Sequence, residues 1–255
     1  MADDFSGRHV LVTGGSRGIG RAIAAAFSRT GATVTITGRD AAALAKALGE
    51  GIAGHVQAFD IRDEHALEDA MARILAHQPV DILVNNAGTA LNRTFARQTR
   101  ADLEAMLADH VIAPAAIIRH CLPGMQAKGR GRILNIGSTA SVKGYPFVSG
   151  YVAAKHALLG LTRALALELA TTGITVNAIC PGYTATDLVM AGMEARAAKE
   201  GSTRDAVLAG FLKSRLQGRL VQPEEIAATA LWLARDEAAS ITGQAILIDG
   251  GESIA

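Results

Sequence analysis

The chain has 255 residues, 49% of them hydrophobic and 19% charged, and its 25 basic and 24 acidic side chains leave a net charge of +1. That length suits one large α/β domain or two small ones around a well-buried core, and near-neutrality gives no reason to expect nucleic acid or an anionic membrane as partner. Cys121 and Cys180 are too few for a disulfide framework, no Cys/His cluster has the spacing of metal ligands, and both thiols read as core.

Met1-Ala2-Asp3-Asp4-Phe5 has no basic stretch followed by an apolar one, so it does not read as a signal peptide. No run of roughly eighteen apolar residues is present to span a membrane. A soluble, cytoplasmic protein is the expectation. Short β-branched runs then alternate with longer Ala/Leu-rich amphipathic ones. Strands are expected over 10–13, 33–37, 55–59, 81–84, 132–136, 175–179 and 245–248, and helices near 18–29, 40–49, 63–77, 100–127, 149–171 and 223–235. Several strands are apolar almost throughout, as parallel strands buried on both faces must be. The alternation predicts a doubly wound parallel sheet, and without a linker or repeat it reads as one domain, 1–255. The rhythm fails at 185–217, where the sixth strand leads into a charged helical insertion containing Gly192, Gly201 and Gly210. Ligands of such folds sit beyond the carboxyl ends of the strands, so this insertion is expected to be a lid; the alternative is a peripheral hairpin that packs on a partner.

The first strand ends in Thr13-Gly14-Gly15-Ser16-Arg17-Gly18-Ile19-Gly20 and enters a helix. Glycines here permit a tight turn and close approach of backbone to a pyrophosphate, whose charge is favoured at a helix N-terminus. The spacing is Gly-x-x-x-Gly-x-Gly, which differs from the usual dinucleotide fingerprint, and no Gly-Lys-Ser/Thr follows as a P-loop would need. At the end of the second strand, Thr37-Gly38-Arg39-Asp40 has glycine where an NAD site places an acid for the ribose. Arg39 follows at once and Arg17 lies in the glycine loop, so two guanidinium groups suit the 2′-phosphate of NADP better than NAD. The competing reading makes both surface arginines and Asp40 a helix cap.

Tyr151 and Lys155 stand at i and i+4 on one helix face, with Ser138 upstream. An ammonium fixed near a phenol favours the phenolate and lowers its pKa from a reference of about 10. A drop of roughly two or three units makes Tyr151 a general acid/base near neutral pH, and a neighbouring serine hydroxyl holds a carbonyl or alkoxide. Alone, the spacing also fits an exposed solubilising pair.

With Gly14-x-x-x-Gly18-x-Gly20, Asn85-Asn86-Ala87-Gly88, Ser138, Tyr151-x-x-x-Lys155 and Pro181-Gly182 in this order, the chain resembles the short-chain dehydrogenase/reductase family over nearly its whole length. Residues 155–183 look most like polyketide ketoreductases and 3-oxoacyl thioester reductases. The resemblance implies a single-domain, Rossmann-type sheet of about seven strands. It implies that Tyr151 exchanges a proton with the substrate oxygen, that Lys155 tunes Tyr151 and binds the nicotinamide ribose, and that Ser138 hydrogen-bonds the carbonyl. It assigns Gly14, Ser16, Arg17, Gly18, Ile19, Gly20 and Arg39 to the phosphates, and Asp60 and Ile61 to the adenine. Asn86, Ala87 and Gly88 would line the cofactor, and Pro181, Gly182, Thr184 and Thr186 the nicotinamide.

One position departs: His110 in Asp109-His110-Val111-Ile112-Ala113-Pro114 stands where the family carries a catalytic asparagine that supports a water-linked proton relay. Imidazole can hold a water or titrate near neutrality, or pack as a neutral spacer. The function implied is hydride transfer between NADP(H) and a carbonyl or secondary alcohol, with a 3-oxoacyl thioester or related ketone as substrate. An NAD-dependent dehydrogenase of a hydroxyacyl-CoA or a cyclic or aromatic alcohol is the alternative, and a non-catalytic nucleotide-binding regulator the alternative of another class. Residues 89–93, 139–148, Tyr183 and the lid flank the expected pocket. Arg93, Lys143, Arg196 and Lys199 are either contacts for a thioester's phosphates or ordinary surface charges. The family habit also implies a homotetramer packed through helices 100–127 and 149–171.

Overall fold

All seven expected strands form in a computed structural model that describes residues 4–213 and 216–254, the inner ones from apolar runs buried on both faces and the two edge strands partly exposed. They are β1 (His9–Thr13), β2 (Thr33–Gly38), β3 (His55–Ala58), β4 (Ile82–Asn85), β5 (Gly131–Ile136), β6 (Ile174–Pro181) and β7 (Ala245–Ile248). Every pairing is parallel, in the order β3-β2-β1-β4-β5-β6-β7. The order reverses between β1 and β4, which opens a crevice at their carboxyl ends, where ligands of such sheets bind.

Alternate side chains of each strand face opposite layers. Val10, Val12, Ile82, Val84, Leu134 and Ile136 meet Ile23 and Phe27 of α1 (Gly18–Ser28), Leu44 of α2 (Ala41–Gly49) and Ile226 and Leu233 of α9 (Pro223–Ala234). Leu11, Leu83 and Ile133 meet Met71 and Ile74 of α3 (Glu64–His77), Ile117, Ile118 and Met125 of α5 (Ala113–Ala127) and Ala166 of α6 (Ser149–Glu168). Asp40 and Asp63 cap α2 and α3, each accepting from the backbone N–H three residues on.

One expectation changes. The helix expected over 100–127 is divided into α4 (Arg100–Leu107), a π-helical turn at Ala108–Ile112, and α5. Pro114 has no N–H for the carbonyl of His110 and its ring crowds that oxygen, so the regular ladder fails there and the backbone widens. The insertion comprises α7 (Asp187–Glu200) and α8 (Arg204–Leu212), joined through Gly201 in the left-handed region at φ 63°; residues 214–215 of the expected 185–217 segment lie outside the described residues. A parallel bridge from Thr184 to Val221 closes its base.

A polar seam inside the sheet fixes the helix that carries Tyr151. Asn85 Nδ2 donates to Asn135 Oδ1 at 2.9 Å, Asn135 Nδ2 donates to Thr162 Oγ1 at 2.9 Å, and Thr162 returns its proton to the Leu158 carbonyl at 2.8 Å. These groups are buried, where an unmet polar atom is costly, so the seam sets the register of β4, β5 and α6 together.

Candidate active site

The glycine loop meets the turn after β4 across the crevice. Thr13 Oγ1 accepts from the backbone N–H of Asn86 and of Ala87, both at 3.0 Å, and Asn86 Nδ2 donates to the carbonyls of Thr13 at 3.0 Å and Gly14 at 3.1 Å. Gly14 turns at φ 64°, and a Cβ there would stand 3.0 Å from Ala87 Cα. A Cβ on Gly20 would run into the Gly14 carbonyl oxygen. Nothing larger fits, and the bare backbone at the start of α1 is a cradle suited to a pyrophosphate. Asn86, expected to line a cofactor, spends its amide on holding this cradle.

At the end of β2, Gly38 leaves space beside Ser16, whose Oγ would lie 3.7 Å from a Cβ there. Arg17, next in the chain to Ser16, and Arg39, next to Gly38, are both exposed. Arg39 Nη1 lies 3.8 Å from Asp60 Oδ2, and the other oxygen of Asp60 accepts from the Arg62 N–H at 3.0 Å. Ile61 packs against the core beneath. Asp40 is committed to capping α2, and the acid beside Arg39 is Asp60, which follows β3. The donor set fits a phosphate monoester better than a bare hydroxyl pair.

On the other side of the crevice, Pro181 ends β6, and Gly182 packs against Asp249. Thr184 is buried and donates to the Gly182 carbonyl at 3.0 Å; Thr186 caps α7, with its methyl 3.3 Å from where a Cβ on Gly18 would stand. The turn after β6 therefore touches the glycine loop, and both bound one groove. Ile19 is half-buried and packs onto the core from that loop.

Ser138, Tyr151 and Lys155 converge. Ser138 Oγ accepts from Ala140 N–H at 3.1 Å and its hydroxyl hydrogen-bonds the Tyr151 phenol. Lys155 is buried, donates to the Ile136 carbonyl at 2.7 Å, and lies 5.5 Å from the Tyr151 ring centre. The expected depression of the Tyr151 pKa by Lys155 is not found. Burial pushes the phenol up to about 12 despite the Ser138 hydrogen bond, and burial likewise brings Lys155 down to about 8. Each charged form loses its water, and at this separation the pair does not recover that loss. At neutral pH the chain's own groups hold Tyr151 as a protonated phenol and Lys155 as an ammonium.

His110 is brought to Tyr151, edge to face, with ring centres 5.3 Å apart and an interplanar angle of 85°. Its Nε2 bonds the Thr89 carbonyl at 2.7 Å, so that nitrogen carries the hydrogen. Burial, then the Lys155 ammonium, drive its pKa down to about 3. Of the roles open to it, titration near neutral pH is therefore disfavoured and the neutral imidazole favoured: a charged ring would be both desolvated and repelled.

Of the four cations offered for a thioester's phosphates, three are bonded within the chain. Arg93 donates to Asp102 at 2.6 Å, Lys143 to the Glu252 carbonyl at 3.0 Å, and Arg196 to Glu200 at 2.7 Å. Beside the trio, Tyr145 Oη lies 2.8 Å from Thr139 Oγ1 and 2.7 Å from Glu252 Oε1. Phe147, at φ 68°, is the one non-glycine in the left-handed region among the described residues and stands exposed at the rim. Motif spacing missed Arg62 and Glu252, because each reaches the site from a distant part of the chain.

The family model described as enoyl-(acyl carrier protein) reductase matches residues 14–253. An acetoacetyl-CoA reductase of Rhizobium meliloti is 39% identical over 251 residues, covering 97% of this chain and 99% of that protein. A D-beta-hydroxybutyrate dehydrogenase of the same organism is 36% identical over 250 residues, covering 94% and 96%. A variant of actinorhodin polyketide ketoreductase, crystallised with NADPH, superposes with a TM-score of 0.92 at 32% identity over 100% of both chains. A parallel sheet with a nucleotide cradle at its switch point, matched along its length by such relatives, makes the protein an oxidoreductase of hydroxyl and carbonyl groups. It belongs to the short-chain dehydrogenase/reductase family.

The state of His110 can be measured directly. In 15N-imidazole NMR spectra, one of the seven histidines should remain neutral and Nε2-protonated from pH 8 down to about 5, and its signal should vanish in His110→Asn. A His110 resonance that titrates between pH 6 and 7 would contradict the assignment.

Proposed function

We propose that this protein is an NADPH-dependent ketoreductase that reduces a 3-oxoacyl thioester or a related ketone to the secondary alcohol. The observation that carries the reading is the protonated Tyr151 phenol hydrogen-bonded to Ser138 and backed by a buried ammonium. When bound, NADPH supplies the hydride that reaches the carbonyl carbon. Tyr151 gives its proton to the carbonyl oxygen. Ser138, whose Oγ already accepts from Ala140, would turn its hydrogen from the phenol to that oxygen as charge develops on it. Lys155 balances the phenolate left behind and is itself held by the Ile136 carbonyl. With its pKa at about 12 the phenol is protonated at neutral pH, the form in which reduction needs it. The names of the acetoacetyl-CoA reductase and polyketide ketoreductase relatives support the same substrate class.

Gly14, Ser16, Gly18, Ile19 and Gly20 would hold the pyrophosphate, Arg17 and Arg39 the 2′-phosphate, and Asp60 and Ile61 would flank the adenine. Ala87, Gly88, Pro181, Gly182, Thr184 and Thr186 would position the nicotinamide end. Residues 185–217 would act as the lid. Their support is a small core of their own around Met193, Ala197, Val207 and Leu220, and the paired base at Thr184 and Val221, about which such a unit can move as a body. Exposed Ile112 and Leu167, at 64% and 80%, support a homotetramer packed through α4–α5 and α6. Buried free Cys121 and Cys180 suit the cytoplasm, and among the described residues no helix is long and apolar enough to cross a membrane.

Three measurements follow. Tyr151→Phe should abolish reduction of acetoacetyl-CoA in a steady-state assay while NADPH still quenches intrinsic fluorescence; near-normal turnover would remove Tyr151 from the chemistry. Arg17→Ala/Arg39→Ala should raise KM for NADPH by about tenfold or more while changing that for NADH by less than about twofold. Equal loss for both cofactors would argue against the phosphate corner. Static light scattering should give four times the 26.4 kDa chain mass; a monomer would end the tetramer assignment.

A further inference from the structure

The π-helical turn buries two consecutive side chains in opposite tasks. Asp109 and His110 are each 3% exposed, although neighbours on a surface helix rarely both turn inward. Asp109 does not orient the imidazole beside it. Both of its oxygens face a bidentate guanidinium, with Arg62 Nε to Oδ1 at 2.6 Å and Arg62 Nη2 to Oδ2 at 2.7 Å. Oδ2 also accepts from the Thr89 hydroxyl at 2.7 Å. Burial alone would raise the Asp109 pKa, but Arg62 and Thr89 hold it below the ordinary value, so the carboxylate stays charged.

Thr89 is the hinge of the arrangement. Its hydroxyl is held by Asp109, and its carbonyl takes the Nε2 hydrogen of His110. His110 then has no room to retreat. A Cβ on Gly88 would run into its Cε1 and stand 2.7 Å from its Nδ1, so the ring lies flush against the turn after β4. Its remaining side meets the Tyr151 ring. The far end of this chain of contacts is Arg62, whose own N–H is fixed by Asp60 at the cofactor's expected adenine side.

We propose that Arg62, Asp109 and Thr89 form a brace that sets the ring position of His110 and, through it, of Tyr151, making Arg62 and Asp109 positioning residues for proton transfer. His110 acts in this brace as a neutral strut. A bidentate guanidinium–carboxylate pair suits the task because it fixes direction as well as distance, which a single hydrogen bond does not. The turn provides the geometry: by widening the helix it lets residues 109 and 110 both point inward, one to the brace and one to the tyrosine. The kinetic arm of the proposal rests on the ketoreductase reading; the positional arm does not.

The test uses the double variant Arg62→Leu/Asp109→Leu, which removes both charges and so leaves no buried carboxylate unpaired. The chain has three tyrosines, so a 13C-tyrosine-labelled sample resolves Tyr151 once Tyr151→Phe has assigned its signal. With the melting transition retained, the Tyr151 ring resonance should move. The kcat for ketone reduction should fall by about tenfold or more, while KM for the ketone and Kd for NADPH stay within about twofold. A folded double variant with an unmoved Tyr151 resonance or wild-type kcat would overturn the brace. If the double variant does not fold, His110→Phe carries the same test, because it keeps a ring against Tyr151 but cannot donate to Thr89; a wild-type Tyr151 signal there overturns the proposal equally. Failure of the wild-type protein to reduce any ketone would count against the proposed function alone, and the Tyr151 resonance would still decide the brace.

Discussion

The clasp between Thr13 and the Asn86–Ala87 turn is the contact on which the rest of the site depends. Two backbone N–H groups and one side-chain amide close the crevice where strand order reverses, and no side chain larger than those present fits between them. The clasp fixes the glycine loop relative to the turn after β4. Gly88 and Thr89 follow in that turn, so the same contact also places the surface on which His110 rests. One clasp thus couples the cradle expected to hold phosphates to the wall expected to hold the tyrosine.

Burial gives the centre its chemical bias. A lysine and a tyrosine four residues apart on an exposed helix would each keep near-ordinary proton affinities, and the ammonium would favour the phenolate. Placed beneath the sheet's carboxyl edge, both lose hydration, and the neutral phenol wins while the ammonium remains charged at neutral pH. The site then holds a proton on Tyr151 at neutral pH. Its charge balance depends on Lys155 and on the backbone carbonyl of Ile136. The polar seam through Asn85, Asn135 and Thr162 keeps α6 in the register this requires.

The surroundings narrow the substrate by subtraction. Arg93, Lys143 and Arg196 each have a partner within the chain, so recognition of an extended phosphate tail would have to displace one of them or use other groups. The rim nearest the trio carries Tyr145, Phe147 and Tyr183, and Tyr183 packs edge-on against Phe211 of the insertion at 4.5 Å. Such a rim suits an acyl chain or ring near the reacting carbonyl, with the insertion packed against it.

Local sequence by itself determined the strand–helix alternation, the parallel sheet, the glycine turn, the Asp40 cap and the pairing of Tyr151 with Lys155, because each depends on residues within a few positions of one another. Gly38 and Arg39 were legible for the same reason, as consecutive residues at a strand end. Only the tertiary structure decided what those groups do to protons. The shifts of Tyr151, Lys155 and His110 come from desolvation, which depends on what packs around a group and has no signature in spacing. Arg62 meets Asp109 across 47 positions, and neither stands in a recognisable motif. The division of the 100–127 helix lies between these cases. Pro114 was in plain view, but the turn it permits became functional only because Arg62 and Tyr151 approach it from other parts of the chain.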